Sequence, residues 1–589
     1  MIAALILAAT LAAPGEAELK AKLSEVFAQE ELTPAQIASR ARKTMNFEFS
    51  ECGTPHRFEN RKIDWNFNPT YNNYCEWPLQ FARHRFLPIL AKYYRQSGDE
   101  KAAETFVKIV GDFIDDVPPP PPGASPHATV SWRTLDTGLR ATSWVNSYDA
   151  FTNSPAWTAE FDAKFRRSLK DHVARLAPQQ TSNNWRIMEL RGLADLVLAF
   201  PRLDPEGTVL AQCEREFEGI LSSQLYPDGF QFELTPGYHG ILDGDFCAVA
   251  DRYRRFGRQP PKFLETGVEL AFELYPHLTR PDRTMPRIND SGHREIRTKM
   301  AKAASLFPNR TDFLWFATDG EKGAPPPYLS YVFPYSGAVV FRESWAKDAI
   351  WGYVDMSPFG RGHQHEDKLN FLLCAYGKDM LIEGGNYAYD KSEMRKYVMS
   401  TRAHNTIMID GKEQNARKTW KWEPEMLHQK ADIRSSLTPE VDVAESTFAL
   451  GYGRGKDYSD AVSHTRKVEF VKDRGTPFFR ITDTLKATDG KEHVYEQIWH
   501  LETCWLDLKD SSFTADFGDG IALEAAFRSE NGVFADHKGE KTPVYQGWMP
   551  IHPQGPHEHR PVHTPILRGT FTGSATIVGV FRPVRRISR

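Results

Sequence analysis

The spacing of apolar residues changes once along the chain, and this change most constrains the fold. Up to about residue 320 the apolar residues recur with the period of a helix. The clearest helix face carries Phe106, Ile109, Val110, Phe113 and Ile114. After residues 320–328 (GEKGAPPPY) the pattern changes to short β-branched and aromatic runs separated by turns. The sequence therefore predicts a helical half followed by a β-rich half.

The length of the chain supports the same division. At 589 residues it exceeds the roughly 250–300 residues at which one hydrophobic core stops growing. We expect a helical domain over residues 18–325 and an antiparallel β-sandwich over residues 326–589. Many short helices joined by short loops suit helical hairpins in a ring, and a plain bundle fits the same pattern. The individual segments predicted are helices at 135–151, 161–176, 187–200 and 209–225, a hairpin at 468–482, and a strand at 575–581.

Residues 1–17 form an apolar run that ends in small residues, which resembles a secretory signal. An apolar N-terminal helix is the alternative interpretation. The run is too short to span a bilayer, and no later segment is long enough, so we expect a periplasmic or secreted protein without a membrane anchor. The net charge of −4 offers no field that would hold nucleic acid, so a polyanionic substrate would need a local basic patch.

Three further features of the sequence leave alternatives open. The cysteines lack C-x-x-C spacing, and one disulfide, such as Cys52 to Cys75, is compatible with the sequence. Residues 557–559 (HEH) have metal-like spacing, but the flanking prolines favour a surface loop. Either a substrate patch or ordinary surface charge accounts for Arg83, Arg85, Arg133, Arg140 and Arg186.

Two polar segments interrupt the helical half. Residues 182–186 (SNNWR) precede a predicted helix, where Asn is also an ordinary N-cap residue. Residues 228–239 (DGFQFELTPGYH) contain the Gly and Pro of a turn. A turn does not explain why Glu233, Tyr238 and His239 cluster within it, so this segment is a candidate functional site.

Three more polar segments follow in the β-rich half. They are residues 362–371 (GHQHEDKLNF), 381–387 (LIEGGNY) and 400–406 (STRAHNT). On a strand, His363 and His365 at i and i+2 point to the same side, although a solvated edge strand gives the same pattern. His365, Glu383 and His404 supply two imidazoles and one carboxylate, a ligand set that suits Zn²⁺.

The polar segments, taken in order, resemble the motifs of the heparinase II/III superfamily of polysaccharide lyases. The motifs are residues 183–185 (NNW), 232–239 (FELTPGYH), 363–371 (HQHEDKLNF) and 402–406 (RAHNT). A further likeness, to the heparan-sulfate lyase branch, is carried by residues 64–66 (DWN), 83–85 (RHR) and 132–140 (WRTLDTGLR). The resemblance implies an incomplete (α/α) toroid packed on an antiparallel β-sandwich, with an acidic polysaccharide lying between them.

The resemblance also implies roles for single residues. Asn184 matches the asparagine that bonds the uronate carboxylate, Tyr238 the catalytic tyrosine and His363 the catalytic histidine. His365 and His404 match metal-binding histidines, so with Glu383 they are expected to hold a structural zinc. Glu383 stands where the family usually has aspartate, and its extra methylene displaces the carboxylate by roughly a bond length unless the backbone compensates.

Five more residues are expected to contact the substrate: Asn183, Glu233, His239, Tyr387 and Arg402. Asn183 neighbours Asn184. His239 is a candidate second donor to the uronate carboxylate, and Arg402 is a candidate cationic neighbour that would lower the pKa of Tyr238.

The expected reaction is β-elimination, in which a base removes the C5 proton of a uronic acid and an acid protonates the departing oxygen at C4. An amide donor such as Asn184 would stabilise the charge that develops on the carboxylate. Tyr238 can act as base and acid when both positions lie on one face, and His363 can act as base when they lie on opposite faces.

Two other classes of protein remain open at this point. A glycoside hydrolase on a helical toroid would need two facing carboxylic acids, for which Glu189, Asp228, Glu233 and Asp243 are candidates. A non-catalytic glycan-binding protein would use an aromatic cleft. Neither class explains why Asn184, Tyr238 and His363 are present together.

Overall fold

The computed structural model describes Leu23 and residues 32–71, 73–179, 181–292, 294–358, 362–415, 421–473, 475–551 and 558–586. The predicted signal segment, residues 1–17, lies outside these ranges, and so does His557. No helix within the described ranges combines the length and apolar character needed to cross a bilayer.

Helices dominate the chain up to residue 317. They are α1 (Pro34–Met45), α2 (Glu76–Phe81), α3 (Leu87–Ser97), α4 (Glu100–Asp116), α5 (Thr134–Val145), α6 (Ala159–Leu176), α7 (Asn183–Ala199), α8 (Thr208–Gln224), α9 (Pro236–Arg255), α10 (Lys262–Phe272), α11 (Leu274–Leu278), α12 (Arg297–Leu306) and α13 (Thr311–Ala317), and α14 (Glu393–Val398) follows in the β-rich half. Large helices pack against the next helix but one in the chain, as α4 with α6, α5 with α7 and α7 with α9, so the helices are arranged round an incomplete (α/α) toroid.

Strands dominate from residue 331 onwards. They are β1 (Glu48–Glu51), β2 (Thr54–Arg57), β3 (Thr284–Met285) and β4 (Arg294–Glu295) in the helical half, and β5 (Tyr331–Val332), β6 (Ala338–Arg342), β7 (Trp351–Asp355), β8 (Phe371–Ala375), β9 (Lys378–Leu381), β10 (Ile407–Ile409), β11 (Arg434–Leu437), β12 (Val441–Phe448), β13 (Val462–Val471), β14 (Phe478–Ala487), β15 (Glu492–Ile498), β16 (Trp505–Lys509), β17 (Ser512–Asp516), β18 (Ile521–Arg528), β19 (Val533–His537), β20 (Trp548–Pro550), β21 (His559–Pro561), β22 (Thr564–Thr572) and β23 (Ser574–Arg585) beyond it.

Three large antiparallel sheets and the two-stranded pair β20-β21 build the β-rich half. The strand orders of the large sheets are β11-β12-β13-β14-β23-β18-β17-β16, β10-β15-β22-β19 and β5-β6-β7-β8-β9. The ring of Phe479 on the eight-stranded sheet lies 5.8 Å from that of Phe341 and 5.1 Å from that of Phe371 on the five-stranded sheet, so the sheets face each other across a shared apolar core. The predicted sandwich is confirmed, as are the hairpin (β13–β14) and the closing strand within β23.

The toroid core depends on one close helix contact. The Cα of Gly138 on α5 and that of Gly192 on α7 face each other so closely that a Cβ at Gly138 would lie 2.6 Å from the Met188 carbonyl oxygen. A Cβ at Gly192 would lie 2.2 Å from the Gly138 carbonyl oxygen. Because backbone meets backbone here, α7 is held firmly against α5, and the N-terminal end of α7 carries Asn184.

Candidate active site

Asn184 lies in the first turn of α7. Its side chain is buried, and its Nδ2 donates a hydrogen bond of 2.8 Å to Glu233 Oε2. The N-cap residue is Ser182, which makes no side-chain capping bond, and the Asn184 amide is not used as a cap either. The Asn184 Oδ1 atom is buried and has no hydrogen-bond partner among the described residues. The side chain of Asn183 lies outside the described part, so its contact with substrate stays a prediction.

Glu233 joins the two halves of the molecule. Its Oε2 also lies 3.3 Å from Nδ1 of His363, which belongs to the β-rich half. A carboxylate only accepts hydrogen bonds, so Nδ1 of His363 carries the hydrogen, and in the neutral ring Nε2 keeps its lone pair. The close approach requires Gly362, whose φ is +66° and where a Cβ would lie 2.7 Å from Glu233 Oε1.

Tyr238 stacks on His363. The rings lie 3.5 Å apart between centroids with an interplanar angle of 14°. Tyr238 is in the first turn of α9, where its backbone N–H donates to the Thr235 side chain that caps the helix. Asn184, Glu233, Tyr238 and His363, hereafter the catalytic cluster, are therefore linked residue by residue. Burial raises the pKa of the Tyr238 phenol above its ordinary value.

Tyr389 is a member of the site that sequence reasoning missed. Its hydroxyl lies 2.7 Å from that of Tyr238, and its side chain is 38% exposed. The Arg395 guanidinium on α14 lies over the Tyr389 ring, 5.0 Å from the centroid. The segment singled out in the sequence ended at Tyr387, two residues earlier, and no spacing signal extended it to Tyr389.

Residues 289–291 (NDS) were also missed, although they fix the loops of both halves. Asn289 Nδ2 donates to the Leu234 carbonyl at 2.9 Å, and its Oδ1 accepts from the backbone N–H of His365 at 2.9 Å. Ser291 Oγ accepts from the Gly237 N–H at 2.9 Å. This segment lies between β3 and β4 and ties the loop before α9 to the histidine loop.

Asp290 in the same segment joins the site to the β-rich half. Both of its carboxylate oxygens accept from Arg395, at 2.6 and 2.7 Å, and Oδ1 is also 3.0 Å from His365 Nε2. Burial favours the neutral acid, but the bonds from Arg395 and His365 outweigh it and hold the Asp290 pKa well below its usual range. Asp290 is thus an anionic link between Arg395 and His365.

His365, Glu383 and His404, hereafter the metal triad, meet in the buried interior of the β-rich half. One potential ligand atom from each lies within 4.8 Å of the others. His365 Nδ1 and His404 Nε2 are buried without a hydrogen-bond partner among the described residues. Two unsatisfied imidazole nitrogens beside a carboxylate are the donor set a divalent cation requires, so these residues fit a metal.

The Glu383 carboxylate is held in place by its surroundings. Its Oε2 accepts from Asn370 Nδ2 at 2.6 Å and lies 2.9 Å from His404 Nδ1. Burial opposes ionisation of Glu383, but the proximity of His404 outweighs it and lowers the Glu383 pKa. The longer side chain, where the family usually has aspartate, therefore still reaches the site.

Three residues expected to contact substrate are placed elsewhere. His239 is fully buried: Nδ1 accepts from the Gln231 N–H and Nε2 lies 2.8 Å from the Ala271 carbonyl, while burial lowers its pKa to about 4. Tyr387 is buried in an apolar cluster of the β-rich half. The expectations for these two residues were wrong. Each lies within two positions of a site residue in the chain, but its own side chain points into the core.

Arg402 makes its described contacts away from the two phenols, and its contact with substrate stays a prediction. Its Nη1 donates to Gln546 Oε1 at 3.3 Å, and its Nη2 lies 3.9 Å from Glu496 Oε2. These contacts hold it within the β-rich half. The guanidinium near the two phenols is that of Arg395.

The five arginines considered as a basic patch serve mostly as internal ties. Arg140 is buried and donates to two backbone carbonyls, and Arg186 is buried against Glu216. Two others, Arg83 and Arg133, share the Asp136 carboxylate. Only Arg85 is exposed.

The carboxylates that a glycoside hydrolase would need are dispersed. Asp228 accepts from two backbone N–H groups, Asp243 is bound by Lys299, and Glu189 accepts from a threonine hydroxyl. Glu233 alone among these candidates contacts the catalytic cluster. The facing pair of acids required for glycoside hydrolysis is therefore not formed by these residues.

The structure also bears on the expectations for the cysteines and for His559. All six cysteines are free thiols, so Cys52 and Cys75 do not form a disulfide. His559 begins the short strand β21, and its ring lies 4.9 Å from that of Trp548. This histidine is therefore not in the surface loop that the flanking prolines favoured.

Comparison with known proteins agrees with this arrangement. The family described as "Heparinase II/III N-terminus" matches residues 20–315, and "Heparinase II/III-like, C-terminal" matches residues 325–569. Curated relatives named heparin-sulfate lyase include one from Bacteroides stercoris, 29% identical over 62% of this chain and 58% of its own length. Another, from Pedobacter heparinus, is 27% identical over 64% and 60%. The chain thus spans less than two thirds of the length of these relatives.

Solved structures show the same fold over nearly the whole chain. A heparinase III structure superposes with a TM-score of 0.78 at 17% identity, covering 97% of this chain and 90% of the other. A heparan sulfate lyase mutant from Pedobacter heparinus gives 0.70 at 20% identity, covering 97% and 88%. Both family descriptions match in order and together cover most of the chain, so the protein is a member of the heparinase II/III family.

Proposed function

We propose that the protein is a polysaccharide lyase that cleaves uronic-acid-containing polysaccharides by β-elimination. The observation that carries the proposal is the linkage of Asn184, Tyr238 and His363 into one cluster by Glu233 and by ring stacking. An amide donor, a phenol and an imidazole within the span of one sugar are the groups this reaction requires. The curated relatives named heparin-sulfate lyase support heparan sulfate as the first polymer to test.

In the proposed mechanism Asn184 stabilises the uronate carboxylate. Removing the C5 proton creates an enolate-like state with a second negative charge on the carboxylate. A hydrogen bond from Asn184 would oppose that charge, and one such donor is typically worth about 3–4 kcal/mol. Asn184 Nδ2 carries two hydrogens, and the bond to Glu233 uses one of them, which leaves the other for the uronate carboxylate.

Proton transfer is assigned to Tyr238 and His363. When the C5 hydrogen and the C4 oxygen lie on one face, the Tyr238 phenolate takes the proton and returns it to the departing oxygen. When they lie on opposite faces, Nε2 of His363, which keeps its lone pair because Nδ1 faces Glu233, takes the proton and Tyr238 protonates the oxygen. In both cases the C5–H and C4–O bonds break and a C4=C5 double bond forms.

We further propose that His365, Glu383 and His404 hold one Zn²⁺, which would fix the loops of the β-rich half by joining them. Asp290, which lies against His365, would in turn keep that imidazole oriented. Export to the periplasm or medium stays a prediction, and sequencing the N-terminus of the mature protein tests it.

The direct test is absorbance at about 230 nm during incubation with heparan sulfate, hyaluronan, chondroitin sulfate or alginate, since only elimination yields a conjugated unsaturated uronide. We expect an increase with at least one polymer and a loss of about three orders of magnitude in turnover for Tyr238→Phe. New reducing ends without this absorbance would establish hydrolysis and refute the proposal.

A further inference from the structure

The Tyr238 hydroxyl has one hydrogen-bond partner among the described residues, the hydroxyl of Tyr389 at 2.7 Å. The two phenols come from different halves, Tyr238 from α9 and Tyr389 from the segment before α14. In a pair of hydroxyls one donates and the other accepts. Which of them donates decides whether the proton of Tyr238 is directed at its neighbour or at the substrate.

We propose that Tyr389 is a positioning residue for the proposed elimination and donates its hydroxyl hydrogen to Tyr238 Oη. The proton of Tyr238 can then move only between that oxygen and the substrate. The inference rests on the proposed lyase function and adds to it a second phenol that the family motifs quoted above do not contain.

The surroundings of the pair favour this direction of donation. The Arg395 guanidinium lies over the face of the Tyr389 ring and is locked there by its two bonds to Asp290. A cation over a ring withdraws electron density and makes the attached hydroxyl a better donor. Tyr238, by contrast, stacks on His363, and no guanidinium of the described residues lies over its ring.

A phenolate at Tyr238 needs such a donor because the nearby carboxylates oppose it. The carboxylates that act on Tyr238 are those of Asp290, Glu233 and Glu76, and all three raise its pKa in addition to burial. His363 lies against its ring. The hydrogen bond from Tyr389 acts in the opposite direction and favours the ionised form.

The proton count stays balanced under this arrangement. Tyr238 Oη takes the C5 proton while still accepting from Tyr389, so the new O–H bond points away from Tyr389. It then passes that same proton to the departing C4 oxygen and returns to the phenolate. Tyr389 keeps its own proton throughout.

The test compares Tyr389→Phe with the wild type across pH. Removing a donor to the phenolate raises the pKa of Tyr238, so less phenolate exists at any given pH. We expect kcat/KM to fall about tenfold to a hundredfold and the rising limb of its pH profile to move up by about one pH unit, with an unchanged melting temperature. A merely structural role would lower activity without moving that limb.

The chain offers a matched control in Tyr376. This tyrosine is also in the β-rich half and also has a guanidinium, that of Arg585, 4.7 Å from its ring centroid. It lies after β8, in a different loop from the Tyr389 segment. Tyr376→Phe therefore removes a comparable hydroxyl and should leave both the rate and the pH profile as in the wild type.

The outcomes separate this inference from the proposed function. If the wild type produces unsaturated uronide and Tyr389→Phe has an unmoved rising limb, the role of Tyr389 is refuted while the lyase assignment stands. If the wild type yields no unsaturated product on any uronate polymer, both are refuted. A moved limb in Tyr389→Phe together with an unmoved one in Tyr376→Phe supports the inference.

Discussion

The catalytic cluster and the metal triad are built from similar side chains but in opposite ways. The catalytic cluster draws residues from both halves and leaves the His363 side chain 28% exposed. The metal triad lies wholly in the β-rich half, and its side chains are at most 2% exposed. Exposed polar groups exchange partners with a substrate at little cost, whereas buried ones must be satisfied within the protein. Loss of a catalytic residue should therefore affect rate, and loss of a triad residue should affect stability.

The largest expected effect is on the catalytic side of this comparison. Asn184→Ala should lower kcat by about two to three orders of magnitude, because the donor to the developing charge is lost. Asn184→Asp should be worse than Asn184→Ala, since a carboxylate repels the uronate. Steady-state kinetics at about 230 nm measure both. An Asp variant more active than the Ala variant would contradict the assigned role.

Glu233 tests whether the two halves must be linked for the chemistry. Glu233→Gln removes the charge of the shared acceptor, and where the amide nitrogen takes the place of Oε2, Asn184 and His363 both lose their acceptor. We expect a fall in kcat/KM of about tenfold to a hundredfold and a change in melting temperature smaller than for the triad variants. Calorimetry and kinetics on the same preparation check this, and an unchanged rate would show that the bridge is dispensable.

Removal of a residue of the metal triad should affect stability instead of rate. His404→Ala leaves Glu383 buried without its imidazole partner, a change worth about 3 kcal/mol or more. We expect about one zinc per chain in the wild type, near none in this variant, and a melting temperature lower by several degrees. Elemental analysis and calorimetry measure these. His428→Ala, at an exposed histidine in the same half, is the control. Unchanged metal content in His404→Ala would refute the zinc proposal.

The smallest effect on chemistry is expected from the helix contact behind Asn184. A methyl group at Gly138 would lie 2.6 Å from the Met188 carbonyl oxygen, so Gly138→Ala should destabilise the toroid by about 1–3 kcal/mol. Gly219→Ala in α8, where nothing lies within 4 Å, should be neutral or slightly stabilising. Thermal unfolding of the pair checks this, and equal melting temperatures would show that α5 and α7 separate at no cost.

Sequence patterns predicted the fold well because periodicity reports directly on burial. The helical period of Phe106 to Phe113 corresponds to buried positions of α4, and the paired runs around residue 473 form β13 and β14. The helix predicted at 135–151 ends earlier, at Val145, where Asn146 closes it. Such boundaries depend on single caps, which periodicity does not report.

The candidate site could be predicted only where a motif was contiguous. His365, Glu383 and His404 do come together, as their residue types indicated. Tyr389 and Asp290 could not be found in this way, because their contacts join segments about one hundred residues apart and an isolated Tyr or Asp carries no spacing signal. His239 was assigned wrongly for the converse reason: it adjoins Tyr238 in the chain, but on a helix the next residue points about 100° away.

One oxygen atom of Glu233 receives hydrogen bonds from a helix of the toroid and from a loop of the sandwich. The hydrogen bonds to this single atom therefore depend on how the two halves are docked. A small rotation at their junction would disconnect amide and imidazole together, so the proposed turnover should vary with inter-domain geometry. Substitutions far from the cleft that alter this geometry should lower the proposed activity while each domain stays folded.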